Sequence, residues 1–548
     1  MQFGIALDLG TSGFRGQLVD LDKQEVLGTV ITARHPLPGA NVIDHLNFAI
    51  EAGIQGVHEI VLKTIDQMIE HLQVPRENIT RLAVCGNPIQ LSLFENIEIR
   101  DLAYAGENKK KLLGIKAPDR SGKIISGKHL PLLRLPEDAI VLIPPAVKHE
   151  IGADALAMLI LSGVLEREEI ALVTDYGTNA EMALKVGDRI ISGSCAAGPA
   201  LEGQHIEQGM LAAPGAICDI SKEKNGYRNF VLDANLQAEP GDLVTLDKGL
   251  IIENGLSKAT GITGTGVIAA VAQGFESGLI KLPRIDTIST TLSLASNVRI
   301  NEKDLEEAGK AFGALRAGYI TLAAEAGIEL EDIKVAYMAG ASGTYVDPIK
   351  ARKIGLVPPV VEKIYQIGNT SLAMARELVI NPNRLEELKE IAGKLLASHC
   401  MFGDSKVFER AYLLELSYWG EGMPWSQYRK FASMYKLPSL PEIGPQPQLI
   451  KKSVRDITQI GLNGLVTIQQ VGEEKSIVFT ECNGCSVCII KCPEKALRIE
   501  EVNNTKSIIL RLDRCNGTAC KRCETICSEK CFNLVKISLS NVNVESGE

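Results

Sequence analysis

Gly4-Ile5-Ala6-Leu7-Asp8-Leu9-Gly10-Thr11-Ser12 reads as an apolar strand ending in a tight glycine turn, with residues 16–20 as the strand that returns. Such a hairpin suits a phosphate. Small residues let the turn amides approach phosphate oxygens, Thr11 and Ser12 add hydroxyl donors, and Asp8 can hold Mg2+ or its waters. One copy is a weak signal, since Asp and Gly also serve ordinary turns. The pattern recurs at Ile170-Ala171-Leu172-Val173-Thr174-Asp175-Tyr176-Gly177-Thr178-Asn179, again a strand, an Asp, a Gly-Thr turn and an apolar return. Two copies favour a duplicated α/β domain whose hairpins face each other across a cleft, over two unrelated turns.

A third element, Val335-Ala336-Tyr337-Met338-Ala339-Gly340-Ala341-Ser342-Gly343, is a strand running into a small-residue turn, with a helix expected over 345–354. A turn without bulky side chains lets an adenosine lie against backbone. The order DLGTS, DYGTN, AGASG resembles the acetate and sugar kinase, heat-shock and actin superfamily, whose two RNase-H-like lobes close on ATP. That resemblance implies Asp8, Gly10, Thr11 and Ser12 for one phosphate motif and Asp175, Gly177, Thr178 and Asn179 for the other. It gives Gly340, Ala341, Ser342 and Gly343 to adenosine, with Asp8 and Asp175 as the catalytic pair. No Walker sequence competes.

The chain has 548 residues, too many for one core, so several structural units are expected. Apolar residues at 45% and charged residues at 23% exclude extensive disorder. A formal charge of -9 gives no electrostatic reason to bind nucleic acid or anionic lipid. The N-terminus lacks the charge-then-apolar pattern of a signal peptide, and the apolar runs at 139–147 and 155–165 fall short of the ~20 residues of a membrane span.

Nine of the thirteen cysteines lie between Cys482 and Cys531. Cys482-x2-Cys485-x2-Cys488-x3-Cys492-Pro493 is the run of bacterial two-cluster ferredoxins, in which three thiolates wrap one cubane and the fourth serves the other cluster. Cys515-x4-Cys520-x2-Cys523-x3-Cys527 is a looser second run, followed by Ser528 instead of a proline. Cys520, Cys523, Cys527 and Cys531 also read as a set of four. The halves are repeats, KSIVFTEC with CPEKA against KSIILRLDRC with CSEKC, and their register sets Cys527 on Cys492 and Cys531 on Ala496. One 4Fe-4S cluster is therefore expected on Cys482, Cys485, Cys488 and Cys527, and a second on Cys515, Cys520, Cys523 and Cys492. Zinc knuckles also use four cysteines, but without three closely spaced thiols and a distant Cys-Pro. Thiolates holding iron need a reducing compartment, which points to the cytoplasm. Cys85, Cys195, Cys218 and Cys400 are isolated and read as core residues.

The fold expected is α/β, with duplicated RNase-H-like ATPase lobes followed by a small α+β ferredoxin-like domain. Residues 1–165 form one lobe, 166–380 the other, 381–474 a helical and Pro-rich connection, and 475–548 the cluster domain. An apolar helix is expected from 153 to 165, a long amphipathic one from 302 to 327, and a semi-rigid linker at 437–448.

Raising one electron by 100 mV costs about 2.3 kcal/mol, a step ATP can drive. An ATPase beside low-potential clusters therefore suggests coupled activities. CAAGPALEG (195–203), GITGTG (261–266), MAGASGTYVDPIKARKIGL (338–356) and QIGNTSLAMA (366–375), with the double-cluster domain, make nearly the whole chain similar to reductive activators of corrinoid proteins. It resembles above all the methylamine methyltransferase corrinoid activases of methanogens. Many corrinoid activators instead carry an N-terminal 2Fe-2S domain. The resemblance implies ATP with Mg2+, two 4Fe-4S clusters, a methyltransferase corrinoid protein and a low-potential electron donor as partners, and one-electron reduction of Co(II) to Co(I). Closure of the lobes around Asp8 and Asp175 would supply the conformational work. The alternatives are an activator of 2-hydroxyacyl-CoA dehydratase, whose family bridges one cluster across a dimer, a kinase with a ferredoxin module, and a passive electron carrier without ATP turnover.

Overall fold

The computed structural model describes residues 2–540 except 40, 105–106, 147–150, 178, 197–199, 201–204, 211, 397, 454–456, 472, 480, 493, 503–504 and 539. Two compact units emerge. The first gathers the described residues within Met1–Ala153, Met374–Lys389 and Ile460–Glu548, and the second those within Asp154–Ala373 and Glu390–Gln459.

In the first unit, β1 (Phe3–Leu9) is buried along its whole length, as its near-continuous apolar sequence requires of a strand covered on both faces. It pairs antiparallel with β2 (Phe14–Asp20), which pairs antiparallel with β3 (Glu25–Thr32), while β4 (Ile79–Gly86) lies parallel on the other side of β1. Strands Ile140–Ile143 and Lys123–Ser126 extend the sheet beyond β4, and Leu465–Ile468 returns from the C-terminal part of the chain to pair parallel with β3. Helices α1 (Val42–Ala52), α2 (Ile54–His71) and α3 (Pro88–Glu95) follow in sequence. Asn87 caps α3, with Pro88 in its first turn where a missing N–H costs nothing.

The second unit repeats this plan. Ala171–Asp175, Asn179–Val186 and Arg189–Ala196 form an antiparallel meander, and Val335–Ala339 and Lys363–Gly368 continue it in parallel. The shared order of a three-strand meander followed by two parallel strands is the RNase-H-like duplication expected from the paired hairpins. Inserted into this unit is a five-stranded sheet of residues 216–262, with helix Gly264–Glu276 behind it.

Helix Glu302–Ala326 starts in an Asn301–Asp304 capping box and stops at Gly327. Its sequence suggests one apolar stripe, but residues from Ala311 to Ala323 are buried almost all round, because helix Lys406–Glu421 covers the other side. The segment at 437–447 has no regular secondary structure but is not free. Gly444 N–H donates to the Pro359 carbonyl, Arg352 donates to the Pro445 carbonyl, and Gln448–Lys451 adds a parallel strand to Lys363–Gly368.

The cysteine-rich segment lies in the first unit as a three-stranded antiparallel sheet, Glu474–Ile477 and Leu497–Val502 flanking Thr505–Arg511. Its repeat shows in the backbone. Ser486 and Lys521 take left-handed conformations before the short helices Val487–Ile490 and Arg522–Thr525, and Lys495 and Lys530 share φ 52. Cys85, Cys195 and Cys218 are buried, as expected of core residues, and Cys400 is half-buried. Among the described residues no helix is long and apolar enough to cross a membrane.

Candidate functional site

The end of β1 brings Asp8 to the turn of the first hairpin, where the residue is 4% exposed and its carboxylate lies 3.5 Å from the Arg15 guanidinium. The turn is tight enough that a Cβ on Gly10 would lie 2.9 Å from the Gly13 carbonyl oxygen. Thr11 receives a hydrogen bond from Asn87 Nδ2 at 3.2 Å, while Asn87 Oδ1 caps α3 through the amides of Ile89 and Gln90. That arrangement leaves the Thr11 proton able to donate to a phosphate oxygen. Gly86 lets β4 approach β1, since a Cβ there would sit 2.7 Å from the Leu9 carbonyl oxygen. Sequence reasoning missed Asn87. Its signal was Gly86-Asn87-Pro88 after an apolar strand, the mark of a capped helix start.

In the second unit, Asp175 and Gly340 are neighbours. A Cβ on Gly340 would fall 2.2 Å from Asp175 Oδ1, and φ +82 at Gly340 is a conformation that favours glycine. Tyr176 fixes the hairpin from beneath, its N–H donating to the Ala339 carbonyl and its hydroxyl to that of Leu356, and burial raises its pKa. The expected small-residue turn is itself helical, Gly340–Tyr345, and a second helix, Pro348–Lys353, follows an Asp347 cap. Gln366 Nε2 donates to the carbonyls of Gly343 and Val346 at 3.0 and 2.8 Å, holding this element on the sheet. Gln366 was quoted in the sequence only as part of QIGNTSLAMA, without a role. Thr178, most of CAAGPALEG, and Pro493 lie outside the described residues, as do the side chains of Asn179, Ala341 and Ser342.

The cysteines line two small hollows. Cys482, Cys485, Cys488, Cys527 and Cys531 border one; Cys492, Cys515, Cys520 and Cys523 border the other. Cys531 Sγ stands 3.6 Å from Cys527 Sγ. Backbone amides of Ala496 and Gly517 donate to the sulfurs of Cys492 and Cys515 at 3.3 and 3.4 Å, the kind of contact that stabilises thiolate on iron. Burial pushes the Cys515 and Cys523 thiols up to about 12, so a metal must displace their protons to bind. Among the described residues no three His, Cys, Asp or Glu side chains close on one point as a single ion requires. Each hollow is bordered by at least four thiols, the number of donors that a 4Fe-4S cluster takes.

Two family models match the chain. Residues 3–167 match the RACo middle region, and residues 169–429 the C-terminal domain of RACo, the ASKHA domain. The chain is 48% identical over 518 residues to the [Co(II) methylated amine-specific corrinoid protein] reductase of Methanosarcina barkeri, covering 94% of this chain and 96% of that one. It is 26% identical over 402 residues to the corrinoid activation enzyme RamQ of Eubacterium limosum, covering 67% of this chain and 62% of the relative. Among solved structures, a reductive activator for corrinoid, iron-sulfur protein aligns with a TM-score of 0.63 at 26% identity, covering 76% of this chain and 66% of that one.

Proposed function

This chain belongs to the family of corrinoid-protein reductive activators, and from that membership we propose that it reduces the Co(II) corrinoid of a methylated-amine methyltransferase system to Co(I) at the expense of ATP. Co(II) gains one electron, which a low-potential donor supplies, while ATP and water become ADP and phosphate. The observation that carries the proposal is one compact unit combining a phosphate-type hairpin with two hollows of four or more thiols each.

Asp8 holds Mg2+ or its waters, oriented by Arg15, and Gly10, Thr11 and Ser12 take phosphate oxygens. Asp175 with Gly177, Thr178 and Asn179 forms the matching phosphate motif of the second unit, and Gly340, Ala341, Ser342 and Gly343 receive adenosine. Cys482, Cys485, Cys488 and Cys527 hold one 4Fe-4S cluster, and Cys492, Cys515, Cys520 and Cys523 the other, with Cys531 surplus. When bound, such clusters supply one-electron transfer at low potential. The reducing cytoplasm keeps these thiols available. A relative acting on a methylated-amine corrinoid protein, at 48% identity over most of both chains, favours this reading over the dehydratase activator and the kinase. The test is visible absorption of a purified methylamine-system corrinoid protein under anaerobic conditions, with this protein, a reductant and ATP. Co(I) should form only with ATP; its absence across several corrinoid partners would refute the reading.

A further inference from the structure

A continuous set of contacts joins the Thr11 hairpin to Cys515 within the first unit. Asn87 links Thr11 to the start of α3, and the next polar side chain of α3, Gln90, is 0% exposed between two buried histidines. Gln90 Oε1 lies 3.1 Å from His35 Nε2, and Gln90 Nε2 lies 3.0 Å from His45 Nδ1. The protons follow from one backbone donor. Leu37 N–H donates to His35 Nδ1, so the proton of neutral His35 is on Nε2 and the Gln90 oxygen accepts it. The Gln90 amide nitrogen must then donate to His45 Nδ1, which leaves the His45 proton on Nε2. The two imidazoles stack at 3.9 Å.

That last N–H is the unusual group. His45 is 0% exposed, and its Nε2 makes no well-formed hydrogen bond among the described residues, the Gly39 backbone being the polar group that faces it. The ring faces Gly39, where a Cβ would lie 3.1 Å from His45 Cδ2. Gly39 N–H donates to the Cys515 carbonyl at 2.8 Å, and Lys521 in the same cysteine set pairs with Glu51 on α1 at 2.7 Å. A buried donor held only by an imperfect contact with the Gly39 backbone is under-satisfied, and a small rotation of the ring would strengthen or break that contact. A shift there alters the hydrogen bond at a ligand residue, one of the levers on cluster potential.

We propose that Gln90, with His35 and His45, is a positioning element through which occupancy of the Thr11 hairpin alters the cluster held by Cys492, Cys515, Cys520 and Cys523. The proposal rests on the nucleotide and cluster assignments made above. Its links to the hairpin side fall on Cys515, Gly517 and Lys521, so the cluster of Cys482, Cys485, Cys488 and Cys527 is an internal control.

The experiment is a potentiometric titration of the full-length, cluster-loaded protein followed by electron paramagnetic resonance, with and without a non-hydrolysable ATP analogue. It compares wild type, Gln90→Met, and the triple variant His35→Phe, Gln90→Met, His45→Phe, which removes the three polar side chains together and leaves only the Leu37 N–H without its acceptor. In wild type the analogue should shift the potential or line shape of the second cluster only. Both variants should bind the analogue and keep both clusters, yet lose that shift and about tenfold of the ATP stimulation of cobalt reduction. A shift that persists in either folded variant overturns the inference, and so does its absence from wild type that binds the analogue. Loss of the clusters in both variants marks a structural role and also overturns it. Failure of wild type to bind ATP, or ATP-independent cobalt reduction, would instead refute the proposed function.

Discussion

Asp8 combines burial, a guanidinium at 3.5 Å and a place at the mouth of a glycine turn. Asp8→Asn should lower ATP hydrolysis and ATP-dependent cobalt reduction about a hundredfold while leaving cluster absorption intact. Reduction at the wild-type rate would show that hydrolysis does not drive the electron. Gly340 offers a second test, because an added Cβ meets Asp175 at 2.2 Å and the backbone is left-handed. Gly340→Ala should weaken nucleotide binding and cost about 1–3 kcal/mol of stability by thermal melting. Gly393 has nothing within 4 Å of its Cβ position and lies inside helix Arg384–Leu396, so Gly393→Ala should be neutral or slightly stabilising. Cys531→Ser should keep about eight iron atoms per chain, whereas Cys515→Ser should lose the iron of one cluster. A cluster lost with Cys531 would assign that thiol as a ligand.

At the scale of elements, the buried pair between α1 and the end of β3 makes stability depend on pH. Burial pulls His35 down to about 3, offset only in part by the Gln90 oxygen that accepts its Nε2 proton. Burial also lowers His45, and the neighbouring His35 lowers it further. Folded-state values below the unfolded 6.5 mean that below this pH the unfolded chain binds protons that the folded one excludes. Stability is therefore complete above about pH 7 and declines as pH falls. At pH 5 the His35 contribution alone is a loss of about 2 kcal/mol. Urea unfolding at pH 7.5 and 5 should show this loss in wild type and less of it in the triple variant without the two histidines. What could be read ahead of the structure divides along the same line. Both hairpins and both cysteine runs were legible because each is a local pattern that occurs twice. Asn87, Gln90 and Gln366 were not, because their partners lie at Thr11, at His35 and His45, and at Gly343, far away along the chain. The burial of helix Glu302–Ala326 was hidden for the same reason, since the helix covering it is remote in sequence.

For the whole molecule, long-range returns set the organisation. Residues 374–389 and 460–548 fold back into the unit begun by the N-terminus, where Arg81 binds the carbonyls of Val379 and Ile380 and Leu465–Ile468 extends the first sheet. The cysteine domain consequently shares a compact unit with the Asp8 hairpin, joined to it at Gly39–Cys515, Glu51–Lys521 and Lys63–Glu473. A phosphate-type hairpin and a cysteine domain anchored to one body can influence each other without a separate partner. The most direct test is a single turnover. Protein with pre-reduced clusters, freed of excess reductant, is mixed anaerobically with the Co(II) corrinoid protein, with or without ATP, and cluster and cobalt absorption are followed together. Cluster oxidation and Co(I) formation should rise at one rate and only when ATP is present. Equal Co(I) formation without ATP, or ATP consumption while the clusters stay reduced, would contradict this coupling.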